Sequence, residues 1–376
     1  MNAPIDVAIV GGGPAGSACA LALARAGLDV AVFERTPMPR EKICGDLLGS
    51  DAVGLIERLD FGASVLADAS PIHGAILIGP RGDRYGSLAV PHGRTSRAPA
   101  YMLARTKLDR ALLEVARDAG ARVRFERVHD VTRDGNGRIA GVVTATEAIA
   151  ARIVVGADGW GSLVARAMGN TAPADRNVAV TARAYATGMP DADTRMRFFV
   201  HDQTDGYGWI FPMGNGTANI GLGAIRSEGV FDLRAAWQRF IGRDSTAAPY
   251  LRGATIEAAR AWPIPLGPRA CALARPGAFL VGDAASLASP LSGSGIASAL
   301  ASGARAARYA RRALAGDDDA WENYARATRG SIVRRLHLEA YAHATFGTAS
   351  GVDRYARFSR LPGAGALLSR AMLALG

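Results

Sequence analysis

Lysine is almost absent from this chain. Lys42 and Lys107 are the only two, so the 44 basic residues behind a net charge of +10 are nearly all arginine. Cysteine is scarce too. Cys19, Cys44 and Cys271 are odd in number, far apart and lack metal-ligand spacing. That argues against a disulfide framework and a zinc site. No apolar run reaches the ~18 residues that a bilayer crossing needs. The N-terminus carries no basic leader, so the chain is expected in the cytoplasm. No basic block alternates with aromatics, which argues against a nucleic-acid surface. The positive excess reads instead as attraction toward an anionic membrane, redox partner or substrate. His73, His92, His129, His201, His337 and His343 are scattered without ligand or triad spacing, and no metal is expected. Neither an internal repeat nor a low-complexity linker interrupts the chain.

What is present begins at once. Ile5 to Val10 is a short apolar run, followed by Gly11-Gly12-Gly13-Pro14-Ala15-Gly16, a helical stretch, a second apolar run ending at Phe33, and then Glu34-Arg35. This is strand, glycine turn, helix, strand and acid, spaced as in a dinucleotide fingerprint. Gly11 allows the tight turn, Gly13 lets the backbone approach a pyrophosphate, and Gly16 lets the helix pack close to the strand. The helix N-terminus offers free N–H groups and partial positive charge to phosphates. Glu34 can accept from ribose hydroxyls. The fingerprint alone leaves NAD, NADP and FAD open.

With 376 residues and 49% of them hydrophobic, the chain can fill a core for two linked domains. Ser50 or Asp51 is placed to cap a helix over the following residues. Residues 70–97 read as short strands, 106–119 as an amphipathic helix, and 121–156 as strands with a turn at 134–137. From about 175 to 268 strand-like segments dominate and suggest a second, largely antiparallel layer. A long helix is expected from Gly295 to about Ala315, with further helices to the end, including residues 361–375.

Two more glycine–acid sites follow apolar strands. One is Gly156-Ala157-Asp158-Gly159, with Arg166 beyond it. The other is Gly282-Asp283-Ala284-Ala285-Ser286, running on to Pro290, Gly293, Gly295 and Ile296 at a helix start. Three such sites exceed what a nicotinamide needs and suit FAD, whose ribityl chain passes several strand ends. Asp283 can accept from ribityl hydroxyls, and the 293–296 helix start can face the negative N1 and O2 of a reduced flavin.

In this order and spacing the three motifs resemble the FAD-dependent family of aromatic hydroxylases, flavin halogenases and geranylgeranyl reductases, over about residues 5 to 310. The resemblance implies an α/β fold: a Rossmann-like FAD-binding domain (1–70, 98–172 and 270–315), an inserted antiparallel β substrate domain (71–97 and 173–269) and a helical C-terminal tail (316–376). It also implies that Arg105 reaches the FAD; an ordinary surface arginine is the other reading.

Two stretches select a branch. Lys42-Ile43-Cys44-Gly45-Asp46 is similar to the K-x-C-G segment of geranylgeranyl and menaquinone side-chain reductases. So is Gly206-Tyr207-Gly208-Trp209-Ile210-Phe211-Pro212, running on to Asn219 and Gly223. The halogenase pattern has two tryptophans, and here Tyr207 stands where the first would fall. The branch implies reduction of carbon–carbon double bonds in a prenyl or other hydrophobic substrate by hydride from the reduced flavin N5. Cys44, Gly45 and Lys42 would form the reactive loop, and Tyr207, Trp209, Phe211 and Pro212 would line the substrate cavity. A monooxygenase acting on an aromatic or polyketide metabolite is the alternative. An isolated alkene gives hydride nothing to push electrons into, so protonation must accompany hydride delivery in a dry slot. Cys44 would shape or supply that acid, or simply fill a tight loop. Lys42 would face the flavin or a substrate headgroup, or stand on a surface loop. The alternating aromatics would equally suit core packing. With no second glycine fingerprint, electrons are expected from a separate donor: a flavin reductase, a ferredoxin or NAD(P)H. The arginine-rich C-terminal helices would cap the fold or rest peripherally on a membrane.

Overall fold

The strands Ile5–Val10 and Val30–Phe33 are apolar apart from the half-buried Asp6, and from Val7 and Val30 onward the structure buries both of their faces. Strands of that kind belong inside a parallel sheet covered by helices. The computed structural model describes residues 3–82, 84–89, 100–174, 177–189, 194–200, 206–226 and 231–346. Its first sheet runs Ala278–Leu280, Ala148–Gly156, Ile5–Val10, Val30–Phe33 and Arg122–Arg124 in spatial order, all parallel. Val10 lies opposite both Gly156 and Phe33, so the ends of three strands are level. Ala274–Arg275 closes one edge antiparallel, and the hairpin Asp130–Arg133 and Ile139–Val143 extends Ala148–Gly156. The hairpin turn is made by Asp134, whose carboxylate accepts from the N–H groups of Asn136 and Arg138.

Helix Pro14–Ala24 starts with proline at its first turn, where no N–H is missed. Helix Ile296–Leu314 lies directly on it. A Cβ at Gly303 would stand 2.1 Å from the Ala15 carbonyl oxygen, so only glycine permits this approach. Nothing local in the sequence around Gly303 marks this approach.

The second sheet has eight strands. Its main path is Thr255–Ile256, Val178–Thr187, Thr217–Ile225, Gly206–Gly214, Arg195–Val200, Gly74–Ile78 and Arg84–Ala89, with Arg260–Pro265 also paired to Val178–Thr187. Every pairing is antiparallel except that of Arg195–Val200 with Gly74–Ile78. The expected antiparallel layer is therefore present. A small sheet of Leu47–Leu48, Ala100–Met102 and Ser70–Ile72 accompanies the two large ones.

The structure departs from the sequence reading in two places. Gly49, not Ser50 or Asp51, is the N-cap of helix Ser50–Arg58, and no side chain caps it. Helix Leu233–Ile241 was not expected among the strands. It is capped by Asp232 through the Ala235 N–H, and it buries Trp237 and Phe240 on the second sheet, with Phe240 edge-on to Phe199 at 5.6 Å. The expected helical C-terminal region is present, and its first helix packs on the nucleotide core. In Ala320–Thr328, Trp321 stacks on Phe279 at 4.5 Å and the Tyr324 hydroxyl donates to the Leu280 carbonyl at 2.6 Å. A π-helical turn, Arg329–Val333, then leads into helix Arg334–Phe346. The expected strand content of 90–97, the expected helix at 361–375, His92 and His201 lie outside the described residues.

Candidate active site

A cavity of about 770 Å³ opens where the parallel strands end, between the first sheet and the second. Ligands of α/β sheets bind at the carboxyl ends of strands, in this position. One end is made of backbone. Gly11 has φ +107°, and a Cβ there would lie 2.3 Å from the Ala157 carbonyl oxygen. At Gly16 a Cβ would stand 1.9 Å from the Gly11 carbonyl oxygen. Gly16 therefore acts by close packing and does not line the cavity, whereas Gly11, Gly13, Pro14 and Ala15 do. A Cβ on Gly13 would meet only the Arg40 guanidinium, at 3.3 Å, which leaves this backbone open to an occupant.

Two long helices, Pro14–Ala24 and Ile296–Leu314, start at this cavity, and neither has a side-chain cap. Leu233–Ile241, elsewhere in the fold, is capped by Asp232. The uncapped starts leave N–H groups and partial positive charge for an anionic ligand. The cleft size, the glycine cradle and the two bare helix starts fit FAD. Pockets for such ligands span about 300–1,000 Å³.

Glu34 and Arg35 both line the cavity. Glu34 is buried, and its carboxylate accepts from the Gly12 N–H at 3.0 Å and the Thr36 N–H at 3.2 Å. Asp158 lines it as well, but much of its carboxylate is committed. It accepts from the Ser162 hydroxyl at 2.5 Å and the Leu163 N–H at 2.6 Å, bracing the start of helix Leu163–Ala167. Burial pushes its pKa up against those bonds. Gly282, Asp283, Gly293, Gly295 and Ile296 line the cavity, and Pro290 does not. Pro290 sits in the turn before Gly293, where Ser289 holds the N–H groups of Leu291 and Ser292.

The other end is made of side chains from one short loop. Arg40 pairs with Glu34 at 3.3 Å and Asp109 at 3.1 Å. Glu41 takes Arg183 at 2.8 Å and also Arg260. Lys42 stands 3.8 Å from Asp283 and 4.4 Å over the Trp262 ring. Burial lowers its pKa, and Asp283 partly restores it. The Cys44 carbonyl accepts from Asn219 at 2.9 Å. Asp46 is fully buried with φ +59°, and its carboxylate accepts from Tyr185 at 2.7 Å, Asn219 at 2.8 Å and the Arg105 N–H at 3.1 Å. Burial raises its pKa against those three bonds. This short loop thus holds Glu34, Asp109 and Asp283 on the nucleotide side and Arg183, Tyr185 and Asn219 of the second sheet.

Arg105 is not a surface arginine. It is buried and bidentate to Asp109 at 2.7 Å on each arm, and it lines the cavity beside Cys44. The Cys44 thiol is pushed up by burial while Arg105 pulls it down. Lys42, Cys44 and Gly45 all line the cavity.

Tyr207, Trp209 and Phe211 share a face, as their alternation requires. They pack against one another and Phe198, with ring centroids 5.1–6.0 Å apart. Trp209 and Phe211 are buried in an apolar cluster with Met102 and Ile72. None of the three, nor Pro212, is among the described lining residues of the cavity. They stand behind the loop: a Cβ on Gly45 would touch Phe211 at 3.3 Å. The Tyr207 hydroxyl donates to the Ser292 carbonyl at 2.6 Å, which ties this strand to the Pro290–Gly293 turn, and burial pushes its pKa up to about 12. The Trp209 indole donates to Asn219 at 2.9 Å.

Sequence reasoning missed Arg40, Glu41, Asn219 and Trp262. The first three lie inside or beside motif stretches. Trp262 carried no signal, yet it lines the cavity and its indole N–H is buried without a partner among the described residues.

A family model described as "FAD binding domain" matches residues 4–321. The menaquinone reductase of Mycolicibacterium smegmatis is 33% identical over 367 residues, covering 90% of this chain and 85% of that one. The digeranylgeranylglycerophospholipid reductase of Thermoplasma acidophilum is 30% identical, covering 83% and 79%. The crystal structure of a geranylgeranyl bacteriochlorophyll reductase-like protein from Thermoplasma acidophilum superposes with a TM-score of 0.85 at 25% identity, covering 98% and 96%.

Proposed function

The chain belongs to the FAD binding domain family, in its geranylgeranyl and menaquinone reductase branch, and from that premise we propose that it reduces carbon–carbon double bonds in a prenyl chain or a similar hydrophobic substrate. The observation that carries the reading is that Lys42, Cys44 and Gly45 line the same cavity as the Gly11–Ala15 turn. FAD, once reduced, supplies hydride to an alkene carbon.

The chain's own residues bind and orient. Gly11, Gly13 and the start of helix Pro14–Ala24 would hold the pyrophosphate, Glu34 the ribose, and Gly293, Gly295 and Ile296 the far end of the cofactor. Lys42 and Arg105 bring positive charge to the cavity wall near Cys44 and Asp283. Because burial raises the Cys44 thiol above its ordinary range, it stays protonated at neutral pH. A thiol is too weak an acid to protonate an alkene unaided. Cys44 therefore positions the alkene or a proton-carrying water in the dry part of the cleft.

The proposal includes peripheral contact with the membrane that holds such a substrate. Among the described residues no helix is long and apolar enough to cross a membrane. Leu338 and Tyr341 are 55% and 73% exposed on helix Arg334–Phe346. Tyr341→Asp should reduce sedimentation with lipid vesicles; unchanged sedimentation would refute the contact.

The deciding experiment reduces the FAD-loaded protein chemically, without oxygen, which bypasses the unidentified electron donor. A menaquinone or a geranylgeranyl lipid is then offered and the product weighed. A gain of two hydrogens per double bond supports the reductase. Oxygen added to an aromatic substrate in air, with no anaerobic product, replaces it by the monooxygenase reading. Cys44→Ser should cut turnover at least tenfold while flavin stays bound, an effect of about 1.4 kcal/mol on the barrier.

A further inference from the structure

A second cavity, of about 650 Å³, shares no lining residue with the cofactor cavity. Its wall is assembled from the Gly169–Thr171 segment, from residues 268–273 with Arg275, and from Arg329, Val333 and His337. The first two parts are locked together. The Asn170 side chain donates to the Ala272 carbonyl at 3.0 Å and accepts from the Ala272 N–H at 2.8 Å. Arg269 adds a bond to the Thr171 carbonyl.

The charge of this wall has one sign. Arg269, Arg275 and Arg329 line it with His337, and among the described residues no acidic one does. Elsewhere, arginines such as Arg25, Arg124, Arg152 and Arg312 have a carboxylate within reach. Among the described residues, the guanidiniums of Arg275 and Arg329 have neither an ion pair nor a hydrogen bond, though both stand at a concave surface. Arg269 and Arg329 also converge electrically. Burial pushes up the Cys271 thiol in the same wall, and these two cations pull it down. Like charges gathered in a cleft repel one another, and a bound anion removes the repulsion. Guanidinium forks match the paired oxygens of phosphate, and a phosphate group offers enough oxygens to engage several forks at once.

We propose that this cavity binds a phosphate group between Arg275 and Arg329, with Arg269 behind it. The phosphate would come from a lipid headgroup or a soluble phosphate ester. The site goes beyond the reduction proposed above and does not depend on it, because binding is read without turnover.

The test is calorimetric titration of the FAD-loaded protein with inorganic phosphate, using sodium chloride of equal ionic strength as the control. Loading with FAD keeps the pyrophosphate end of the first cavity out of the measurement. The expected result is saturable binding that chloride does not reproduce. Arg275→Gln and Arg329→Gln should each weaken it about tenfold, the size of one charge-assisted bond, with the flavin spectrum unchanged. Both side chains are exposed, so the variants should fold. Vesicles of phosphatidylcholine, with or without phosphatidylglycerol, then identify the source. Retention on the anionic vesicles that phosphate displaces and the double variant loses assigns a lipid headgroup. Phosphate binding without vesicle retention assigns a soluble ester. No saturable phosphate binding, or binding that both variants leave intact, overturns the proposal.

Discussion

The two ends of the cofactor cavity are built by opposite means. At the Gly11–Gly16 end the geometry is set by what is missing: no Cβ at Gly11 or Gly16, and no side-chain cap on the helix. At the 41–46 end it is set by what is added, since Glu41, Lys42 and Asp46 each reach a different partner, while Arg40 reaches back to the glycine turn. A backbone cradle suits a ligand part that is the same in every turnover. A loop held by side chains suits the part where chemistry is chosen, because one substitution can re-aim it without moving the sheet.

The comparison breaks most readily at Asp109. Asp109→Ala strands the buried Arg105 and weakens the hold on Arg40, and should cost about 3–5 kcal/mol. Chemical denaturation would show it as a lowered midpoint. A loss below 1 kcal/mol would mean that water replaces the carboxylate and that the side-chain end is softer than described. Gly16→Ala acts at the other end. Its methyl group would collide with the Gly11 carbonyl oxygen, so the turn must open. We expect about 3 kcal/mol and purification with little flavin, read from the ratio of flavin to protein absorbance. Normal flavin content would show that the turn is not rigid.

Asn219→Ala sharpens the contrast. It removes the bonds to Trp209, Asp46 and the Cys44 carbonyl at once. The cost should be about 2 kcal/mol, with turnover falling more than flavin content. Equal losses of both would put the flavin-binding end and the loop end in one unit. The smallest effect concerns pH. Asp46 is raised above its ordinary 3.8 by burial. A carboxyl with a raised folded pKa adds stability that is complete below the unfolded value and is lost as pH rises through the folded one. Asp46→Asn should therefore flatten part of the fall in thermal midpoint as pH rises above ~4. An unchanged pH slope would show that the hydrogen bonds to Asp46 outweigh its burial.

These two ends were not equally legible in the sequence. The glycine turn was readable because steric exclusion acts between near neighbours, as Gly16 does on Gly11. The nucleotide-binding layer was readable from the strand–turn–helix–strand fingerprint, and the antiparallel layer from the run of strand-like segments between about 175 and 268. The loop residues were recognisable only through resemblance, because their partners are remote: Arg183 for Glu41, Asp283 for Lys42, Asn219 for Cys44. The aromatic strand was ambiguous for a related reason. Alternation puts Tyr207, Trp209 and Phe211 on one face but does not say whether that face meets a ligand or Phe198. The helix Leu233–Ile241 was passed over amid strands although Asp232 and its amphipathic spacing announced it. Gly303 had no local mark at all, since its reason is a carbonyl on another helix.

The 40–46 loop has a consequence for how the molecule comes apart. Arg40 holds Asp109 on helix Arg105–Asp118, beside the parallel sheet, while Glu41 and Asp46 hold the strand Val178–Thr187 of the other sheet. A protein with two large sheets and separate apolar clusters would ordinarily be expected to melt in more than one step. Here the hinge between them is cross-braced on both sides, so the sheets should lose their order together, in one cooperative transition. Flavin bound at one end would then protect backbone amides of the distant antiparallel sheet from exchange with solvent.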